Sequence, residues 1–195
     1  MYEKINITEN TLKVLSMYTR GYDKEHYIRE VSRIMQISPR TSQLILSDLE
    51  KKGILTSKQR GKTLLFSLNK QNPIAKAYVK LAEDYKLVAF LSENNEVKYL
   101  LEELGEIDDE AIFAIFGSYA KGTRKKDSDF DLFAVSHKTS IKDKIKALEG
   151  KHSFRISVKM ANKKTFEKKD VLTTEVLENH VCLQNSGGLV RLGWE

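Results

Sequence analysis

The sequence predicts an α+β protein in two parts joined by a helix, and three observations carry that expectation. Residues 1–70 hold three short segments with apolar residues at helical spacing, then two short strand-like segments around Arg60-Gly61-Lys62. Residues 111–135 hold two apolar runs rich in Phe and Ile, separated by Gly117-Ser118 and a basic stretch, the pattern of short buried strands. Beyond them strand-like and helix-like segments alternate, as in an α/β unit. A chain of 195 residues is long enough for two small domains. The expected boundaries are residues 1–70, a connecting helix at 71–96, and a second domain at 97–195.

Composition narrows the class. Charged residues make up 31% and hydrophobic ones 41%, an ordinary globular mix. No apolar run approaches membrane length, and MYEKINITEN lacks the apolar core of an export signal, so no membrane partner and a cytoplasmic location are expected. The single cysteine, Cys182, excludes an intrachain disulfide and a Cys-based zinc site, and the four histidines show no ligand spacing. Residues 1–70 carry 13 Lys and Arg against 7 Asp and Glu, whereas residues 71–195 are balanced. The whole excess of +6 therefore sits in the first third, which points to a polyanionic partner there.

The first helix is expected over Thr11 to Thr19, with Thr8 or Asn10 as its N-cap, and Gly21-Tyr22-Asp23 breaks it. A second runs Tyr27 to Met35, with Ile28, Val31, Ile34 and Met35 inward. Ser38-Pro39 is an N-cap followed by proline at the first helical position, and the third helix ends at Gly53. Ser42, Ile45, Leu46 and Leu49 share one face of it; Arg40, Gln43, Leu44 and Ser47 share the other, with Thr41 near the start. Ile54 to Leu68 reads as a basic hairpin. Three helices and such a hairpin, with ISPRTS…LSDLEKKGIL, resemble a winged helix-turn-helix domain. The resemblance implies binding to double-stranded DNA: Arg40, Thr41, Gln43 and Ser47 facing the major groove, and Lys58, Arg60 and Lys62 on backbone phosphate.

Asn72-Pro73 opens a further helix to about Leu91, with Ile74, Ala77, Tyr78, Leu81, Tyr85 and Val88 on one stripe. Pairing with its twin in a homodimer and packing on its own chain both satisfy that periodicity.

Phe113 to Val135, FAIFGSYAKGTRKKDSDFDLFAV, carries the second chemistry. Asp129 and Asp131 alternate with Phe130 and Leu132, so on a strand they share a face. Two carboxylates on one face repel and call for a cation; Mg²⁺ takes carboxylate and phosphate oxygens together. A Gly-Ser turn after a strand offers backbone N–H groups to phosphate. Strand, Gly117-Ser118, basic loop, Asp-x-Asp strand is thus a constellation for a metal-bound nucleoside triphosphate. It resembles the nucleotidyltransferase superfamily that includes DNA polymerase beta, in its minimal prokaryotic branch, over roughly Val97 to the C-terminus. The resemblance implies an α/β domain with a mixed sheet, a nucleotide such as ATP at Gly117 and Ser118, with Lys121 and Arg124 on phosphate, and Mg²⁺ at the catalytic pair Asp129 and Asp131.

That family supplies a third carboxylate from a later strand. Here the strand is expected at Ser153 to Met160, and the position falls on Ser157, or on Lys159 in a different register; neither is acidic. Ser140 to Leu148, Lys164 to Lys169 and Val171 to Glu178 read as helices, and Val181 to Gln184 with Leu189 to Trp194 as a terminal hairpin. The lysine groups after residue 140 read as solvated faces. The sequence reading is a DNA-binding transcriptional regulator whose second domain binds nucleotide and Mg²⁺ with weak or no catalysis. Its alternatives are an enzyme that transfers AMP to a protein or small molecule, and an antitoxin working with a protein partner.

Overall fold

The computed structural model describes residues 5–125, 127–138, 140–148, 150–152, 154–167 and 170–194. The chain divides into two compact units, Met1–Ala82 and Glu83–Glu195.

The first unit contains α1 (Glu9–Tyr18), α2 (Ile28–Met35), α3 (Pro39–Lys51) and an antiparallel pair, β1 (Leu55–Arg60) and β2 (Thr63–Leu68). Local chemistry sets the boundaries. Thr8 Oγ1 accepts the Thr11 N–H at 3.2 Å, and Ser38 Oγ accepts the Thr41 N–H at 3.0 Å ahead of Pro39. Gly53 takes φ +69° just past α3, where a side chain would strain the backbone. His26 exchanges both backbone hydrogen bonds with Phe66, at 2.9 and 2.8 Å, and so ties the segment before α2 to the hairpin. Val14, Leu15, Tyr18, Val31, Leu46, Leu49, Ile54 and Phe66 form the buried interior.

One expectation for this unit needs correction. Of the four residues placed inward on α2, Val31 alone is fully buried, and Ile34 is 44% exposed. An eight-residue helix makes two turns, and only its middle reaches the junction with α1 and α3.

Helix α4 (Pro73–Glu93) runs through the division between the units. Its buried residues are Ala75, Val79, Ala82 and Glu83. The apolar stripe read from periodicity is largely the other side: Ile74, Leu81 and Val88 are exposed. The packed face is the one that carries Ala75, Val79, Ala82 and Glu83, rotated away from the expected stripe.

The second unit continues with α5 (Val97–Ile107), β3 (Ile112–Ile115), α6 (Gly117–Ala120), β4 (Phe130–Val135), α7 (Ile141–Lys146), β5 (Ile156–Ala161), α8 (Lys163–Glu167), α9 (Val171–Glu178), β6 (Val181–Gln184) and α10 (Ser186–Trp194). The sheet order is β5-β4-β3-β6, with β4 and β5 parallel and the other pairs antiparallel, a mixed sheet. Val97, Leu100 and Leu104 of α5 and Ile141 and Ile145 of α7 pack with Phe113, Ile115, Phe130, Leu132 and Ala134 in one core. Phe166 packs against Phe133, with ring centroids 6.1 Å apart. The expected start of β5 at Ser153 and the end of the following helix at Lys168 and Lys169 lie outside the described residues.

The terminal hairpin is the main correction. Val181 to Gln184 is a strand, but it pairs with β3, and the last segment is helix α10. Ser186-Gly187-Gly188, read as a turn, is the first turn of that helix; Asn185 Oδ1 caps it by accepting the Gly188 N–H at 2.9 Å. Leu189, Val190, Leu192, Gly193 and Trp194 are all buried, and a helix buried nearly all round loses the polar stripe that would have revealed its period.

A buried charge network also holds this unit. Glu83 is fully buried; its Oε1 lies 2.9 Å from His180 Nε2 and its Oε2 2.9 Å from Lys86 Nζ. Burial works against the carboxylate, but His180 and Lys86 outweigh it and hold its pKa at about 2. The pair joins α4 to the residue preceding β6.

Candidate active site

The site forms where β3 ends and β4 begins. The antiparallel register places Ile115 opposite Leu132, and the Phe116 N–H donates to the Asp131 carbonyl at 3.0 Å. The chain then turns at Gly117, φ +67°, into the four-residue helix α6. A Cβ on Gly117 would lie 2.4 Å from Asp131 Oδ2, so glycine is required both by the backbone and by the carboxylate beside it. Along β4, Phe130 and Leu132 are buried, while Asp131 is half-buried on the alternate face. Asp129 precedes the strand and is exposed.

The parallel register sets Asp131 beside Ser157 and Phe133 beside Lys159. That register brings Ser157 next to Asp131, where its hydroxyl favours the ionised carboxylate. Burial chiefly, then the charge of Asp129, pushes the Asp131 carboxyl above its ordinary value, against the neighbouring Ser157 hydroxyl and the charge of Lys159. A further acid, Glu175 of α9, acts on Asp131 in the same direction as Asp129, and it pairs with Lys121 at 3.6 Å. Nothing in the sequence pattern flagged Glu175; it lies on a separate helix 44 positions later.

A cavity of about 660 Å³ opens beside Asp129; its described lining does not include Asp131, Gly117 or Ser118. Asp129, Tyr119, Phe154, Arg124 and Arg155 are among the residues that line it. The Arg124 guanidinium sits 4.9 Å from the Tyr119 ring centroid and pairs with Glu96 at 2.5 Å. Tyr119, Phe130 and Phe154 form an aromatic wall, with centroids 5.0 Å apart for Tyr119–Phe130 and for Phe130–Phe154. Of the residues expected to meet phosphate, Lys121 and Arg124 thus stand in ion pairs with Glu175 and Glu96.

Residues 97–181 match the nucleotidyltransferase domain family. No curated protein and no solved structure shows significant similarity to the chain. The match spans α5 to the first residue of β6 and takes in Gly117, Ser118, Asp129 and Asp131.

Nucleotidyltransferase domains generally use Mg²⁺ and a nucleoside triphosphate. Among the described residues, no group of three or more His, Cys, Asp or Glu side chains is arranged to hold a metal. Mg²⁺, however, commonly takes one or two protein carboxylates and completes its shell with phosphate and water. The Asp129–Asp131 pair fits that demand. Its two carboxylates act on each other unfavourably, and the glycine cradle against Asp131 keeps the approach clear of a side chain.

In the first unit the expected DNA-facing residues lie on two elements. Arg40, Gln43 and Leu44 are exposed on α3, with Thr41 and Ser47 half-buried beside them. Arg40 donates to Gln43 Oε1 at 3.3 Å. Lys58 and Arg60 alternate on one face of β1, both exposed, and Lys62 is in the two-residue loop that follows Arg60. Arg60 pairs with Glu25 at 3.0 Å. No described helix is long and apolar enough to cross a membrane.

Proposed function

We propose that the second unit binds a nucleoside triphosphate such as ATP with Mg²⁺ and transfers its nucleotidyl group slowly to a protein or small-molecule acceptor. The observation that carries the reading is the Asp131 carboxylate, pressed against Gly117 on one side, with Ser157 as its partner in the parallel register on the other. Asp129 and Asp131 would hold the metal, which neutralises phosphate charge and acts as a Lewis acid. The Gly117-Ser118 turn faces the triphosphate with first-turn N–H groups that lack intrahelical partners. Lys121 reaches phosphate by leaving Glu175. Ser157 stands beside Asp131, but a hydroxyl is a poor base at neutral pH, and a base is what a third carboxylate would provide. Slow transfer follows.

Thermal shift and labelled-ATP transfer on three proteins test this. Mg²⁺ with ATP raises the melting temperature of the parent by mass action. Asp129→Asn with Asp131→Asn abolishes the rise, without lowering stability in the absence of ligand. Ser157→Asp increases transfer. Absence of a shift with every nucleoside triphosphate overturns the nucleotide reading, and parental transfer as fast as that of Ser157→Asp overturns the role given to Ser157.

A second reading concerns the first unit, as a winged-helix binder of duplex DNA that serves transcriptional regulation. Its support is the +6 excess within residues 1–70, together with exposed Arg40 and Gln43 on one helix and Lys58 and Arg60 on one hairpin face. Fluorescence anisotropy of the full chain on duplex DNA should show affinity falling steeply with salt. No binding at low salt overturns it.

A further inference from the structure

The sheet of the second unit has chemistry at both ends. Asp131 lies near the start of β4; the strand's other end, roughly 17 Å away at about 3.3 Å per residue, opens into a basic groove. β4 leads out through Ser136, His137 and Lys138, and the parallel strand β5 leads out through Asn162 to Lys163 and Lys164 at the start of α8. A cavity of about 730 Å³ lies between these exits, lined by Lys138, Lys142, Lys163 and Lys164 with His137, Ser136, Asn162, Met160 and Ala161. Among the described residues, no acidic side chain lines it. A smaller cavity of about 250 Å³ shares Ser136, His137, Lys138 and Lys163 with it and adds Arg191 together with the acids Asp108 and Glu110.

The architecture explains why the lysines gather there. On α7, Ile141 and Ile145 turn into the core, which leaves Lys142 outward; on α8, Phe166 is buried and Lys163 and Lys164 are exposed. Lys138 is fixed from beneath. Asp108, 4% exposed, pairs with it at 2.9 Å and accepts from Ser136 at 2.7 Å. Burial opposes the Asp108 charge, but the Lys138 and Ser136 hydrogen bonds outweigh it, so the carboxylate stays ionised and Lys138 stays in place. Lys142, Lys163 and Lys164 then face the larger cavity.

We infer that this groove holds the phosphate backbone of duplex DNA, as a second contact beside the first unit; the inference rests on the DNA reading of that unit. Lysine supplies flexible point charges, whereas recognition of planar carboxylates on a protein partner favours the arginine fork. Among the described residues, the larger cavity has no aromatic lining on which a base could stack, so its contact would be to backbone and not to bases.

The test measures affinity of the full chain for a random-sequence duplex across a salt series. The parent is compared with Lys142→Gln/Lys164→Gln, with Lys58→Gln/Arg60→Gln/Lys62→Gln, and with Lys98→Gln as a control on an exposed position of α5. Each lysine removed from a phosphate lowers the salt slope by about one, so the groove variant should lose about two while Lys98→Gln keeps the parental slope. An unchanged slope in the groove variant, with a reduced slope in the hairpin variant, overturns the groove and leaves the DNA reading standing. A parent that binds no DNA overturns both. A thermal-shift arm with inorganic tripolyphosphate separates a free anion from a strand. If the groove variant loses the tripolyphosphate shift and keeps the parental DNA slope, the groove is an anion pocket and the DNA-backbone assignment fails.

Discussion

The two units handle charge in opposite ways. The first carries its cations on exposed side chains, among them Arg40 on α3 and Lys58, Arg60 and Lys62 on the hairpin. The second gathers its acids where the backbone comes close: Asp131 against a glycine that has no room for a methyl group, and Glu83 fully buried between a histidine and a lysine. Exposed charges tolerate small displacements, since solvent screens them and side chains adjust. Buried ones do not, since desolvation is repaid only by their partners. Single substitutions should therefore cost far more in the second unit than in the first.

The largest expected effect is at Glu83. Glu83→Ala leaves His180 and Lys86 without the carboxylate they face, and breaking a buried pair costs about 3–5 kcal/mol. Hydrogen exchange should show faster opening of β3, β4 and β6, while β1 and β2 keep the parental rates; equal acceleration in both sheets would break the comparison. The pH dependence has a definite sign. The folded-state pKa of Glu83 is depressed to about 2 from 4.5, so its contribution is complete above the unfolded value and fades as pH falls from about 4.5 towards 2. The stability gap between the parent and Glu83→Gln, followed by urea denaturation, should shrink across that window.

Gly117→Ala comes next. A left-handed backbone costs a non-glycine residue roughly 1–2 kcal/mol, and the new Cβ must displace the Asp131 carboxylate. We expect a loss of about 2 kcal/mol and no melting-temperature rise with Mg²⁺ and ATP. A variant of parental stability that still shows the rise would mean that the glycine cradle is dispensable.

How far these features could be read in advance follows the same division. Ser38-Pro39, Gly53 and the hairpin around Gly61 are local signals, and each sits where the residue types placed it. Gly117-Ser118 and Asp129-x-Asp131 were legible because their spacing lies within one short stretch. The resemblance set the third carboxylate's position at Ser157, or at Lys159 in another register; the parallel strands set Ser157 beside Asp131 and Lys159 beside Phe133. Glu175, Glu96 and the Glu83–His180 pair were invisible, because each meets its partner across distant segments and no period encodes that meeting. α10 was misread for a related reason: its burial nearly all round removed the polar face that distinguishes a helix.

The smallest effects should come from the first unit, and they sharpen the contrast by their kind. Arg60→Ala removes an exposed ion pair with Glu25, 67% and 34% exposed on the two sides, so stability should change by no more than about 0.5 kcal/mol. Its DNA affinity should fall about equally on all sequences, with a salt slope smaller by at most about one. Gln43→Ala should instead change which sequences are preferred, because an exposed amide on α3 is suited to reading base edges while a hairpin cation positions the duplex. Binding of both variants to a randomised DNA pool checks the pair. The same preference profile for Gln43→Ala and the parent would remove Gln43 from the recognition surface. A destabilisation by Arg60→Ala as large as that of Gly117→Ala would show that charge in the first unit, too, is held by close packing.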